Sequence, residues 1–128
     1  MTRSAADRAK DCFERLKGPI VPLNLCFDDK GEVDIAAIRR YVDWLCRERV
    51  PVILLTYISS YFMWLTRDVH RRLTAALAEE IAGRALFISS TLWEAPAECR
   101  DFIQFADRVG VDIVKVQTNP WFRFPPHQ

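Results

Sequence analysis

A cluster of hydroxyl side chains follows the most apolar stretch of the sequence. The run VPVILLT, residues 50–56, is followed by Tyr57, Ile58, Ser59, Ser60 and Tyr61. Serine hydroxyls and the backbone amides of a turn that leads from a strand into a helix are suitable partners for a carboxylate. The same serines can instead satisfy the backbone of the turn itself. We expect Ser59 and Ser60 to bind a carboxylate, with Tyr57 and Tyr61 either lining the pocket or packing the loop against the fold.

Few other polar residues stand at positions suited to chemistry. The run Ser89-Ser90-Thr91 is expected to end a strand. His70 falls in the first turns of a predicted helix, and we expect it to face solvent. Lys115 is the only lysine on a predicted strand.

The cysteines do not form a metal-binding pattern. They stand at positions 12, 26, 46 and 99, without a C-x-x-C pair, and the sequence has only 2 histidines. Structural zinc requires paired Cys or His ligands at short spacing. We therefore expect no metal site, no cofactor, and cysteines that act as small core residues.

The composition narrows the functional class. With 50% hydrophobic and 27% charged residues, a packed core is expected rather than disorder. The net charge of +1 and the absence of a basic run with interleaved aromatic residues argue against nucleic acid as a partner. No apolar segment approaches the roughly 20 residues that cross a bilayer. The N-terminal MTRSAADRAK is too polar for a secretory signal, so a cytoplasmic location is expected.

The hydrophobic pattern predicts short strands that alternate with amphipathic helices. The predicted elements are a leading helix at 4–16 capped by Ser4, a strand at 19–27, a helix opened by Asp34, a strand at 50–56, a helix between Thr66 and Gly83, a strand at 85–89, a helix between Pro96 and Gly110, and a strand at 112–116. The strand at 50–56 lacks alternation, which is typical of a strand buried on both faces of a parallel sheet. Ligands of such sheets bind beyond the carboxyl ends of the strands, where the hydroxyl cluster falls.

Four segments, in order and at matching spacing, resemble one family. They are GPIVPLNLCFDDKGEVD, VPVILLTYISSYFMWLT, the stretch from Gly83 to Val116, and NPWFRFPP. Together they are similar to the N-terminal half of the dihydrodipicolinate synthase / N-acetylneuraminate lyase family. The resemblance implies an α/β fold in which residues 1–17 form a leading helix. Residues 18–128 would form a (β/α)4-like half of a (β/α)8 TIM barrel, with strands 1–4 and the loop after strand 4.

The resemblance also implies a chemistry. Family members hold a 2-oxo acid such as pyruvate as a Schiff base on a lysine of strand six, bind its carboxylate with two threonines, and relay protons through a tyrosine. Ile58 and Ser59 fall on the threonines, Tyr57 and Ser60 on the flanking glycines, and Tyr61 on a glutamate. Phe122 falls on the catalytic tyrosine, and Trp121 on the tyrosine before it.

These departures limit the activity that the resemblance implies. Phe122 lacks an ionisable hydroxyl, Ile58 lacks a hydroxyl, and no counterpart of strand six occurs among the 128 residues. We therefore expect a fragment or divergent member of this lyase family that is inactive by itself. A half-barrel also leaves two strand edges unpaired, so we expect a homo-oligomer or pairing with a complementary half-barrel.

The sequence also allows two other interpretations of the fold and function. One is a catalytically dead half-barrel that serves as a binding or oligomerisation module. The other is an unrelated open α/β sheet, which the absence of a Gly-rich phosphate loop after any strand disfavours.

Overall fold

A computed structural model describes residues 4–117 of the chain. Its elements are α1 (Ala5–Arg15), β1 (Ile20–Pro22), α2 (Ile35–Arg47), β2 (Val52–Leu55), a 3-10 helix (Phe62–Trp64), α3 (Arg67–Ile81), β3 (Leu86–Ser90), α4 (Pro96–Val109) and β4 (Ile113–Lys115). The predicted order of elements is confirmed.

The four strands form one parallel sheet in the order β1-β2-β3-β4. Ile20 pairs with Val52, Val52 with Leu86, and Ile88 with Ile113, so each helical crossover moves the chain one strand further along the sheet. This succession, without a reversal of strand order, is that of a (β/α)8 barrel. β1 is shorter than the predicted 19–27: it ends at Pro22, although the amide of the next residue, Leu23, still donates to the carbonyl of Leu54 on β2 over 2.8 Å.

The predicted helix starts are confirmed at their caps. The side chains of Ser4, Asp34 and Thr66 accept hydrogen bonds from backbone amides in the first turns of α1, α2 and α3. Pro96 opens α4, and Gly110 ends it at a φ of 92°. α3 ends at Ile81, two residues before the predicted Gly83, and its C-cap Ala82 takes the left-handed conformation, with a φ of 45°.

The sheet has two faces with different surroundings. The outer face, which includes Ile53, Leu55 and Phe87, packs against α2, α3 and α4 in the main core. The inner face, defined by Val52, Leu86 and Ile88, is partly covered by α1 through Cys12. Ile20, on the edge strand β1, remains 47% exposed. The inner face is therefore closed at its centre and open at the β1 edge.

His70 is buried, and the expectation that it faces solvent is wrong. Its side chain is only 1% exposed. The 3-10 helix and α4 cover it, since the rings of Phe62 and Phe102 lie 4.6 and 4.7 Å from the imidazole. Although His70 belongs to the first turns of α3, it lies on the face that α3 turns toward the core.

Ion pairs link the helices on the outside of the sheet. Arg67, at the start of α3, contacts Glu94 at 2.8 Å and Glu98 at 2.6 Å, and this contact ties α3 to the start of α4. The hydrogen bond from Arg67 lowers the pKa of the Glu98 carboxyl. Arg39 pairs in the same way with Glu79 and Glu80, joining α2 to α3. Within residues 4–117, no helix is long and apolar enough to cross a membrane.

Candidate functional site

Two buried hydroxyls meet at the carboxyl ends of β2 and β3. The hydroxyl of Ser90 donates to Thr56 Oγ1 over 3.3 Å, and both residues are buried. Alternation along the strands places Thr56 on the same face as Leu54, and Ser90 on the same face as Ile88. The pair therefore lies at the end of the inner face, where ligands of barrels bind.

Ser60 is committed to the backbone of the fold. Its side chain is fully buried, donates to the carbonyl of Leu23 over 2.7 Å, and accepts from the amide of Thr56 over 3.2 Å. One hydroxyl thus connects the segment after β1 with the end of β2. The sequence allowed the serines either to bind a carboxylate or to satisfy the backbone of the turn. The contacts of Ser60 correspond to the second of these.

Ser59 differs from its neighbour. It is half-buried, and neither its hydroxyl nor its amide forms a hydrogen bond with another residue in the described part of the chain. The same holds for the amide of Ile58, whereas the amides of Ser60, Tyr61 and Phe62 donate to carbonyls within the loop. One hydroxyl and two consecutive amides are therefore open to a ligand at this turn.

The two tyrosines occupy different environments. Tyr57 stacks on Trp93, with ring centroids 3.8 Å apart and an interplanar angle of 16°, so the loops after β2 and β3 are joined by an aromatic pair. Tyr61 is 48% exposed and adopts a left-handed backbone conformation, with φ of 49°. A bulky residue with positive φ is strained, and such strain concentrates in ligand-binding loops.

A second polar link joins β3 to the segment after β4. Thr91 Oγ1 accepts from the amide of Gln117 over 3.0 Å, and the amide of Thr91 donates to the carbonyl of Lys115. Lys115 itself is exposed, on the edge strand β4. The expectation that Ser89-Ser90-Thr91 ends β3 is confirmed, since β3 closes at Ser90.

The sequence pattern did not point to all of these residues. Thr56, Ser90 and Trp93 form contacts across the loops, and only the alternation of inner and outer positions along β2 and β3 could have paired the two hydroxyls. Phe122 and Trp121, the other positions suggested by the family resemblance, lie outside the described residues.

A cleft of about 670 Å³ lies elsewhere, between α1 and the beginning of β4. Its charged lining includes Arg8, Asp107 and Asp112, and Arg8 is paired with Asp107 at 2.6 Å. This cleft is at the amino end of the sheet, so it does not include the hydroxyls at the carboxyl end. In residues 4–117, no group of three His, Cys, Asp or Glu side chains could hold a metal ion.

A parallel sheet whose strands follow one another in chain order, with α2–α4 on its outer face, defines this chain as part of a TIM barrel. The comparisons with known proteins agree. Dihydrodipicolinate synthase from Aquifex aeolicus superposes with a TM-score of 0.73 at 27% identity, over 79% of this chain and 34% of that one. The enzyme from Rhodopseudomonas palustris matches in fold, with a TM-score of 0.74 at 18% identity, over 86% and 36%.

Curated sequences give the same result. The chain is 31% identical over 111 residues to 4-hydroxy-tetrahydrodipicolinate synthase of Methylobacterium radiotolerans, covering 87% of this chain and 36% of that protein. It is 30% identical over 110 residues to the Brucella abortus protein of the same name, covering 86% and 37%. No protein-family model matches the chain. The chain belongs to the dihydrodipicolinate synthase family, as an N-terminal portion that spans about a third of the length of these relatives.

Proposed function

We propose that this chain provides the carboxylate-binding end of a lyase that acts on 2-oxo acids such as pyruvate. The observation that carries the proposal is the turn after β2, where the hydroxyl of Ser59 and the amides of Ile58 and Ser59 have no partner among the described residues. The similarity to 4-hydroxy-tetrahydrodipicolinate synthases supports this class of reaction.

The proposed contacts use those groups of the turn that have no hydrogen-bond partner among the described residues. A carboxylate accepts from Ser59 Oγ and the two open amides, because hydrogen bonds to a charged acceptor are stronger than those between neutral groups. Ser60 shapes the turn through its bonds to Leu23 and Thr56 and does not need to touch the ligand. Tyr57 and Tyr61 form the sides of the site, and the Thr56–Ser90 hydroxyl pair forms its base.

The covalent step requires a residue that we place outside these four βα units. In the proposed reaction, a lysine amine forms a Schiff base with the keto carbon, and the imine then accepts electrons from the bond that breaks next to it. Lys115 is exposed on an edge strand and is not assigned this role. Phe122 has no hydroxyl to relay a proton. We therefore propose that the chain binds a 2-oxo acid without forming the adduct.

The open edge of the inner face, at β1, suggests the kind of partner that completes the barrel. β1 and β4 are edge strands within the described sheet, and Ile20 is 47% exposed at one of them. We propose that a complementary half-barrel or a second copy of this chain covers this face. The cytoplasm is the proposed location, since all four cysteines are free, as is usual in a reducing compartment.

A catalytically silent binding or oligomerisation module is the second candidate. The replacement of two expected hydroxyls by Ile58 and Phe122 favours it. In that case, the barrel partner would still bind, but 2-oxo acids would not.

Pyruvate binding and borohydride trapping distinguish these proposals. Pyruvate is titrated into the isotopically labelled chain, and in a parallel sample sodium borohydride is added before intact-mass analysis. We expect shifts of the Ile58 and Ser59 amide signals and no mass increase. A covalent adduct on any lysine would refute the proposed inactivity, and unchanged amide signals at saturating pyruvate would favour the silent module.

A further inference from the structure

Lys115 is the only charged residue in the four strands of the sheet. It is the last residue of β4, and it is exposed. Within residues 4–117, no carboxylate forms an ion pair with its ammonium group. The proposed function gives this lysine no part in the covalent step, so its charge still needs an explanation.

The neighbours of Lys115 on β4 show which face of the sheet it occupies. Ile113 packs against the inner-face residues, whereas Val114 packs against the main core on the outer face. Because side chains alternate along a strand, Lys115 lies on the inner face, like Ile113. In a closed barrel, this face becomes the interior.

The register of the sheet puts Lys115 beside the candidate site. Lys115 is the partner of Ser90 in the pairing of β3 with β4. Ser89 points to the outer side, since its hydroxyl lies 3.3 Å from Oγ1 of Thr74 on α3, and Ser90 therefore points inward. The Ser90 hydroxyl donates to Thr56 Oγ1. The polar base of the site thus continues from β2 through β3 to an ammonium group on β4.

We propose that Lys115 binds a second carboxylate of the ligand, so that the site prefers a 2-oxo dicarboxylic acid to a monocarboxylic one such as pyruvate. This inference rests on the proposed function, because it takes the turn at Ile58 and Ser59 as the site of the first carboxylate. The contact is an ion pair, and the amine forms no bond with the keto carbon.

The spacing of the strands agrees with a ligand that carries a carboxylate at each end. β3 lies between β2 and β4, so the two ends of the site are about 10 Å apart across the sheet, which is two strand spacings. The ammonium of a lysine is carried on a flexible stem and can cover part of this distance. A diacid with a short carbon chain covers the rest, above the Thr56–Ser90 pair. Pyruvate has a single carboxylate and cannot occupy both ends.

An inward-facing charge on an edge strand has a second possible role. Such a lysine can protect the edge from pairing with other chains. The two roles have different consequences, because edge protection does not depend on any ligand. Closing a barrel over an ammonium group without a partner costs free energy, whereas a bound carboxylate supplies the opposite charge.

Two acids with the same carbon chain test the proposal on the unmodified chain. 2-Oxoglutarate and 2-oxopentanoate differ only in the second carboxylate, and each is titrated into the isotopically labelled chain. We expect both to shift the amide signals of Ile58 and Ser59, and only 2-oxoglutarate to shift that of Lys115. 2-Oxoglutarate should bind about fivefold more tightly, the size of effect expected for a partly exposed ion pair. Equal affinities would overturn the inference.

Three variants assign the preference to the charge of Lys115. Lys115→Met removes the charge and keeps a long side chain, and it should reduce the preference to within about twofold. Lys115→Arg keeps the charge and should keep the preference. Lys10→Met is the matched control, because it removes a charge from α1, at the amino end of the sheet. An unchanged preference in Lys115→Met, or an equal loss in Lys10→Met, would overturn the inference. Stronger self-association of Lys115→Met with an unchanged preference would assign the lysine to edge protection.

The salt dependence of the unmodified chain covers the case in which a variant does not fold. The preference for 2-oxoglutarate should fall as salt is raised, because salt screens an ion pair, and a preference that is independent of salt would overturn the inference. If neither acid shifts the Ile58 and Ser59 signals, the proposed function fails and the inference fails with it. If both acids shift these signals with equal affinity, only the inference fails. An adduct on Lys115 after borohydride reduction would show that the amine attacks the keto group and would also overturn it.

Discussion

The hydroxyl of Ser60 joins two segments that are 37 residues apart in the sequence, because it donates to the carbonyl of Leu23 over 2.7 Å. The same oxygen accepts from the amide of Thr56 over 3.2 Å. Both contacts are buried, so water cannot replace the hydroxyl at either one. The segment that follows β1 therefore helps to fix the conformation of the turn after β2. The hydroxyl of the neighbouring Ser59 takes no part in this and stays available to a ligand.

Ser60→Ala should destabilise the chain by about 1–3 kcal/mol, because it leaves a buried carbonyl and a buried amide without a partner. Urea unfolding monitored by circular dichroism measures the effect. Ser59→Ala is the matched control, and we expect it to change stability by less than about 0.5 kcal/mol. If both variants lose the same stability, the two serines do not differ in the way the geometry indicates.

The candidate site shows where sequence patterns stop being sufficient. The order of strands and helices and their caps could be predicted, since apolar runs, cap residues and glycines are local signals. The sequence could not separate Ser59 from Ser60, because the difference depends on the distant carbonyl of Leu23. Phe122 lies outside the described residues, so its predicted position remains a prediction.

His70 shows a different limit. In the sequence, the apolar residues of α3 trace a stripe through Val69, Leu73, Ala76, Leu77 and Ile81. The buried positions of the helix are instead His70, Leu73, Thr74, Leu77, Ala78 and Ile81, which follow the spacing i, i+3, i+4, i+7, i+8 and i+11. Two of these residues are polar, so a stripe traced through apolar residues alone was displaced by one position at its start.

Acid should destabilise the chain through His70. The pKa of this side chain is about 4 in the fold and near 6.5 in the unfolded chain, so the unfolded state binds the proton first. Stability is therefore full above about pH 6.5 and declines as pH falls toward 4, by at most about 3 kcal/mol.

Urea midpoints between pH 7.5 and 4.5 measure this dependence. His70→Phe is the control, because it removes the group that titrates and should flatten this part of the profile. A parallel decline in both proteins would assign the acid sensitivity to other groups.

Ala82→Gly should stabilise the chain by about 0.5–1 kcal/mol. Ala82 ends α3 in the left-handed conformation, with a φ of 45°, and is exposed, so glycine relieves strain without loss of packing. Ala76→Gly, inside the same helix, is the control and should cost about 1 kcal/mol. Thermal unfolding compares the two. A loss of stability in Ala82→Gly would mean that the entropy of the unfolded chain outweighs the strain.

The chain should self-associate through the inner face of its sheet, because a second copy could then complete the barrel. Ile20 lies on the edge strand β1, in register with the inner-face residue Val52, and is 47% exposed. A charge at this position would have to be desolvated in any complex that covers the face, so Ile20→Lys should weaken association at least about tenfold.

Sedimentation velocity at micromolar concentrations measures the association. Ile103→Lys is the matched control, because Ile103 is 38% exposed on α4, on the outer side of the sheet. We expect the control to associate like the unmodified chain. A monomeric unmodified chain would exclude a second copy as the cover of the inner face and leave the complementary half-barrel, and equal weakening by both lysines would place the contact elsewhere.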